Sequence, residues 1–319
     1  MESKRLGIVL VLALGLLSAS LVDGLLEVTA ADLTSPSETT PTGIMADSPI
    51  SPTTPVKLIF IHHSCGGNWL ADTTEHDMAG GLGQALMENN YFVSATNYGW
   101  GPDSIGNNTN VPDWPRWFTD TMMAAVYAET GQNICAEEMC FGNWTRMADP
   151  NPTAENEVVM FKSCFPNSDI YGNPDDPPSD TPNDEFTVAN FKAVYNTLLT
   201  YFAAHQDKLF IVITAPPLSE VGYVANGADP PAADRAANAR AFNNWLVNDW
   251  LEGYAHNNVA VFDFYNVLTS NGSAGRVDDT GLNTEPNDYA ARPDGNHHYW
   301  DGSAIVHPQT INNNFAAYP

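Results

Sequence analysis

Five short apolar runs alternate with segments whose apolar residues recur at helical spacing. That alternation predicts an α/β protein, a three-layer α/β/α sandwich around a five-stranded, mainly parallel sheet. Two further observations agree. The runs are rich in β-branched residues and apolar on successive positions, as strands buried on both faces must be. The chain is also 43% hydrophobic and 11% aromatic over 319 residues, enough to fill a core on both sides of a sheet.

The elements follow in order. Val56–Ile61 (VKLIFI) reads as the first buried strand, Gly80–Asn89 as a short helix and Tyr91–Thr96 (YFVSAT) as the second strand. Glu157–Phe161 (EVVMF) reads as the third. Over Phe186–His205 the apolar residues Val188, Phe191, Val194, Tyr195, Leu198, Leu199 and Phe202 line one helical face. Leu209–Thr214 (LFIVIT) is the fourth strand, stopped by Pro216-Pro217. Ala232–Tyr254 is a second long amphipathic helix carrying Phe242, Trp245, Leu246, Trp250 and Leu251, and Val259–Phe264 (VAVFDF) is the fifth strand.

The flanks read differently. Lys4 and Arg5, the apolar run Leu6–Leu17 and the small residues Ser18-Ala19-Ser20 have the pattern of a secretory leader over residues 1–20, with export to the extracellular side as the expectation. Residues 21–55, Ser/Thr/Pro-rich from residue 32, read as a linker, and 56–319 as one domain. The net charge of -26, from 12 Lys+Arg against 38 Asp+Glu, repels phosphate backbones and anionic lipid. Nucleic acid is therefore excluded as a partner, and so is the membrane once the leader is cleaved. Four cysteines in an exported chain permit disulfides. Cys135 and Cys140 close a short loop; Cys65 and Cys164 each follow a strand and are placed to meet across neighbouring strand ends.

In open parallel sheets, ligands bind at the carboxyl ends of the strands, so chemistry is sought there. The first strand is followed by His62-His63-Ser64-Cys65-Gly66-Gly67-Asn68. A serine on such a turn, with glycines behind it, has space around its hydroxyl and backbone N–H groups nearby, the parts of a nucleophile and an oxyanion hole. The segment approaches G-x-S-x-G, with His62 in place of the first glycine. The second strand leads into Asn97-Tyr98-Gly99-Trp100-Gly101-Pro102, and the third into Lys162-Ser163-Cys164-Phe165-Pro166-Asn167-Ser168. After the fifth come Asp294-Gly295-Asn296-His297-His298 and later His307-Pro308.

This order resembles the SGNH (GDSL-like) hydrolase/esterase superfamily over Val56 to about His307, as a divergent member. That family places a Ser after strand one, a Gly after strand two, an Asn after strand three and a late Asp-x-x-His, on a flavodoxin-like fold. The resemblance implies a secreted carboxylic ester hydrolase with Ser64 as nucleophile, His297 as base and Asp294 orienting it. Gly99 (or Gly101) and Asn167 become oxyanion donors, and His307, followed by Pro308, an alternative base. It implies no cofactor and an ester substrate, acetylated carbohydrate being one class. Where the family has Gly-Asp before its Ser, this chain has His62-His63, and its Gly-x-Asn-Asp is absent.

Trp100 and Trp300, in loops at the same edge, are candidate platforms for a sugar ring. The histidines read as hydrogen-bonding neighbours of Ser64 rather than zinc ligands, because adjacent strand residues point to opposite faces. The acidic run Asp175–Glu185 lacks EF-hand spacing and reads as a solvated loop capping the following helix, with weak calcium binding as its alternative. The rival to an enzyme is a catalytically decayed extracellular module on the same fold, binding glycans or serving a structural role.

Overall fold

The computed structural model describes residues 51–76, 79–134, 142–218, 230 and 232–267, with the strand segments Gly275–Val277, Asn283–Pro286, Tyr299–Trp300 and Ile305–Val306. Strands β1 (Val56–Ile61), β2 (Tyr91–Ala95), β3 (Val158–Lys162), β4 (Leu209–Ile213) and β5 (Val259–Phe262) form one sheet in the order β2-β1-β3-β4-β5. Every pairing is parallel. The expected α/β sheet is thus present, and it is parallel throughout.

Successive residues of a strand face opposite sides, and the two sides here bury different clusters. Leu58 and Phe60 of β1 pack with Trp69, Leu86 and Trp144, whereas Ile59 and Ile61 pack with Trp114, Phe161, Phe191 and Phe202. Helices α1 (Gly66–Leu70) and α2 (Leu82–Glu88) contribute to the first face. Helices α3 (Trp114–Trp117), α4 (Asp120–Ala128), α5 (Val188–Ala204) and α6 (Ala232–Asn248) contribute to the second. This double cover explains why the strands lack polar alternation: β1 to β4 are buried at every position.

The departures from the sequence pattern have local causes. Helix α5 starts at Val188 because Thr187 takes the cap, its side chain accepting from the Asn190 N–H. The acidic loop therefore does not cap that helix; its last residues are instead gathered by the Asn190 amide, which donates to the carbonyls of Asn183 and Glu185. Helix α6 ends at Asn248, before the expected Tyr254, and a turn carries Trp250 into the core. Helices α3 and α4, unforeseen from the sequence, seat an aromatic group made by Trp114, Trp117 and Phe118 beside the sheet. A short helix α7 (Phe264–Val267) follows β5. The hairpins β6/β7 (Gly275–Val277 with Asn283–Pro286) and β8/β9 (Tyr299–Trp300 with Ile305–Val306) are antiparallel.

Several expectations lie outside the described residues. These are the leader, the linker up to residue 50, Cys135, Cys140, Asp294, His297 and His307, together with the side chain of Trp300.

Candidate functional site at the β1/β3 switch point

The chain runs from β1 outward to β2 and then returns to β3 on the other side of β1. The crevice between the carboxyl ends of β1 and β3 is therefore the topological switch point, where this architecture places its ligands. Ser64 and Cys164 both emerge there.

The turn after β1 is built from its neighbours. His62 is buried, its N–H donates to Thr96 Oγ1 at 3.3 Å, and its ring lies 4.7 Å from that of Phe60. The same ring occupies the space beside Gly66: a Cβ there would stand 2.6 Å from His62 Cγ, so only glycine fits. Ser64 sits between them with φ +52°, in the left-handed region that non-glycine residues rarely adopt. The Gly67 N–H closes the turn on the Ser64 carbonyl at 2.9 Å and α1 begins at once. Ser64 itself is half-buried. Among the described residues, the N–H groups of Ser64 and Cys65 donate to no acceptor.

Around the hydroxyl stand groups from three strand ends. The Ser64 side chain is a neighbour of the Tyr98 phenol, from the loop after β2, and of the Cys164 sulfur, after β3, and lowers the pKa of each. The His63 ring stacks on Tyr98 with centroids 4.7 Å apart. Burial first, and then the Lys162 ammonium, lower His63 to about 3, so its imidazole is neutral at ordinary pH; among the described residues the buried Nδ1 atoms of His62 and His63 have no partner. Burial also raises Tyr98 above the usual phenol range, against the opposing effect of its Ser64 contact.

Lys162, the last residue of β3, is buried, with Nζ 3.4 Å from Cys65 Sγ and 5.3 Å from the Trp69 ring centroid. Cys65 Sγ and Cys164 Sγ are 3.5 Å apart. The two cysteines do meet across neighbouring strand ends, but as free thiols and not as the expected disulfide, since a disulfide bond spans about 2.05 Å. Burial pulls the Lys162 ammonium down, and the attraction of the two sulfurs more than offsets it, leaving a net rise. Cys164 is held below the usual thiol range, chiefly by the hydrogen bond from Cys65, with Lys162, the Phe165 N–H and Ser64 assisting against burial. Cys65 is pushed up by the same pairing and by burial.

The other expected site residues are at the same edge but differently employed. Gly99 has φ +73°, and its N–H donates to Asn107 Oδ1 at 2.7 Å. Asn167 is buried, with both amide hydrogens engaged: Nδ2 donates to Asn110 Oδ1 at 2.9 Å and to the Cys164 carbonyl at 3.2 Å. Its Oδ1 accepts from the Val111 N–H at 2.8 Å. Both residues tie loops together, while among the described residues the backbone N–H groups of Ser64, Cys65 and Gly101 donate to no acceptor. Trp100 is not an open platform for a sugar: it is 9% exposed, stacks on Trp117 at 5.6 Å and donates from Nε1 to Glu129 at 2.6 Å. Tyr98 and Lys162 were not singled out from the sequence. A lysine closing an apolar strand was the available signal, since such a position is buried.

Comparison of the chain with protein-family models, with curated proteins and with solved structures gave no match. Among the described residues, no group of three or more His, Cys, Asp or Glu side chains is arranged to hold a metal ion, and no helix is long and apolar enough to cross a membrane.

Proposed function

We propose that the chain is a serine-dependent carboxylic ester hydrolase with Ser64 as its nucleophile. The observation that carries this reading is the Ser64 turn. A half-buried serine is held at φ +52° at the switch point, with Tyr98 and Cys164 as neighbours and with two backbone N–H groups that donate to no acceptor among the described residues. Attack of Oγ on an ester carbonyl forms a tetrahedral oxyanion, which the N–H groups of Ser64 and Cys65 would receive. The proton leaves to a base. His297 with Asp294, or His307 in its place, are the candidates on the resemblance to SGNH esterases. Water then releases the acyl group from Ser64 by the reverse sequence.

The leader pattern and the linker support work outside the cell on accessible esters, with acetylated carbohydrate the first class to assay. The engagement of Gly99 and Asn167 favours a second reading, a glycan-binding module that has lost its chemistry. A fluorophosphonate probe separates the two. A stoichiometric adduct mapped to Ser64, absent in Ser64→Ala and in either His297→Ala or His307→Ala, is the outcome expected for the hydrolase. Ester turnover retained by folded Ser64→Ala overturns it, and glycan binding without an adduct establishes the alternative.

A further inference from the structure

Among the described residues, no carboxylate contacts the buried Lys162 ammonium, which lies 3.4 Å from the Cys65 sulfur and over the Trp69 ring. An unpaired buried ammonium is expensive by several kcal/mol. The two sulfurs, 3.5 Å apart, provide the missing anion if they share a single proton. The shared proton then lies between the two sulfurs, and the pairing with Cys65, helped by Lys162, holds Cys164 below the usual thiol range. The two thiols are buried, in contact with each other and beside a fixed cation, so a thiolate formed there has a built-in resolving partner.

We infer that Cys65 and Cys164 form a peroxide-oxidisable couple that gates the Ser64 turn. The gating half rests on the hydrolase reading above; the thiol chemistry does not. The Cys164 thiolate attacks one oxygen of hydrogen peroxide and the O–O bond breaks. This gives Cys164 sulfenic acid and hydroxide, which takes up a proton as water. The Cys65 thiol then attacks the sulfenic sulfur, forming the S–S bond and expelling hydroxide, which leaves as water with the proton of Cys65. The two thiols lose two electrons in all, and the peroxide gains them.

Closing 3.5 Å to about 2.05 Å draws Cys65 and Cys164 together. It removes the negative charge beside the Ser64 side chain and pulls on Ser64 through its bond to Cys65 in the chain. The coupling is local because Ser64 is fixed between the His62–Gly66 packing and the start of α1.

The test uses the full chain, reduced, then treated with hydrogen peroxide over a range of pH and mapped after alkylation in denaturant. The expected product is a Cys65–Cys164 cross-linked peptide, lighter by two hydrogens and reopened by dithiothreitol. Its formation should have a pH midpoint clearly below the ~8.5 of an ordinary thiol, rising in Lys162→Met. Fluorophosphonate labelling of Ser64 should fall by about tenfold to a hundredfold in the bridged form and return on reduction. Should Lys162→Met not fold, the wild-type pH midpoint decides alone. Both cysteines remaining alkylatable after peroxide, or a midpoint at the ordinary value, overturns the couple. A bridge that leaves labelling unchanged overturns the gating. A bridge in a protein that never labels at Ser64 upholds the couple and removes the hydrolase reading.

Discussion

Ser64 holds a left-handed conformation that costs an L-residue about 1–2 kcal/mol relative to the right-handed one. That strain is sustained by Gly66 against His62 on one side and the start of α1 on the other. Ser64→Gly relieves it, while the more flexible unfolded chain takes back part of the gain. The net expectation is a stabilisation of about 0.5–1 kcal/mol, measured by chemical denaturation, in a protein that no longer reacts with fluorophosphonate. A Ser64→Gly variant less stable than the parent would show that the turn is relaxed. The serine itself was legible from its place after an apolar run and before two glycines. Its conformation was not, because φ +52° depends on the packing of the His62 ring. Trp100 was misjudged for a similar reason: its anchor, Glu129, is 29 residues away, and loop position alone says nothing of it.

Among the elements, α5 shows how a single hydroxyl sets a boundary. Thr187 accepts from the Asn190 N–H and is extended, with φ -120° and ψ 154°. Thr187→Ala should cost about 1 kcal/mol by thermal or denaturant unfolding, with the fold unchanged. An equal loss in Thr187→Ser would argue against the cap. The strands were readable to within two residues, since burial on both faces of β1 to β4 leaves nearly continuous apolar runs. The meeting of Cys65 with Cys164 was readable too, as the consequence of two loops leaving paired strands. Helix α4 escaped detection because Asp120–Ala128 is too short and too evenly apolar to show a helical stripe. Lys162 escaped because a buried ammonium at a strand end announces itself only through what surrounds it.

At the scale of the whole molecule, the buried histidines give stability a pH dependence. Burial holds His63 at about 3 in the folded protein, and His62 is also lowered, first by burial and then by Lys162. In the unfolded chain both return to about 6.5. The folded state thus binds fewer protons below that value, and stability is full above pH 6.5 and lost as the pH falls towards 3. His63 alone should remove about 2 kcal/mol between pH 7 and pH 5. Unfolding midpoints measured across that range should flatten in His63→Gln, and an unchanged slope would show the imidazole to be protonated in the native protein.

The strand order has a further consequence for how the chain is made. β1 is interior, yet its two neighbours arrive far apart, β2 soon after it and β3 only once Lys162 has been synthesised. Between those events lie about 70 residues, roughly 3–14 s at ribosomal elongation rates. For that interval the hydrogen-bonding edge of VKLIFI faces outward with no strand to cover it, as an edge open to pairing with other chains. The segment that places Ser64 is thus also an open strand edge in the growing chain, of the kind that invites aggregation.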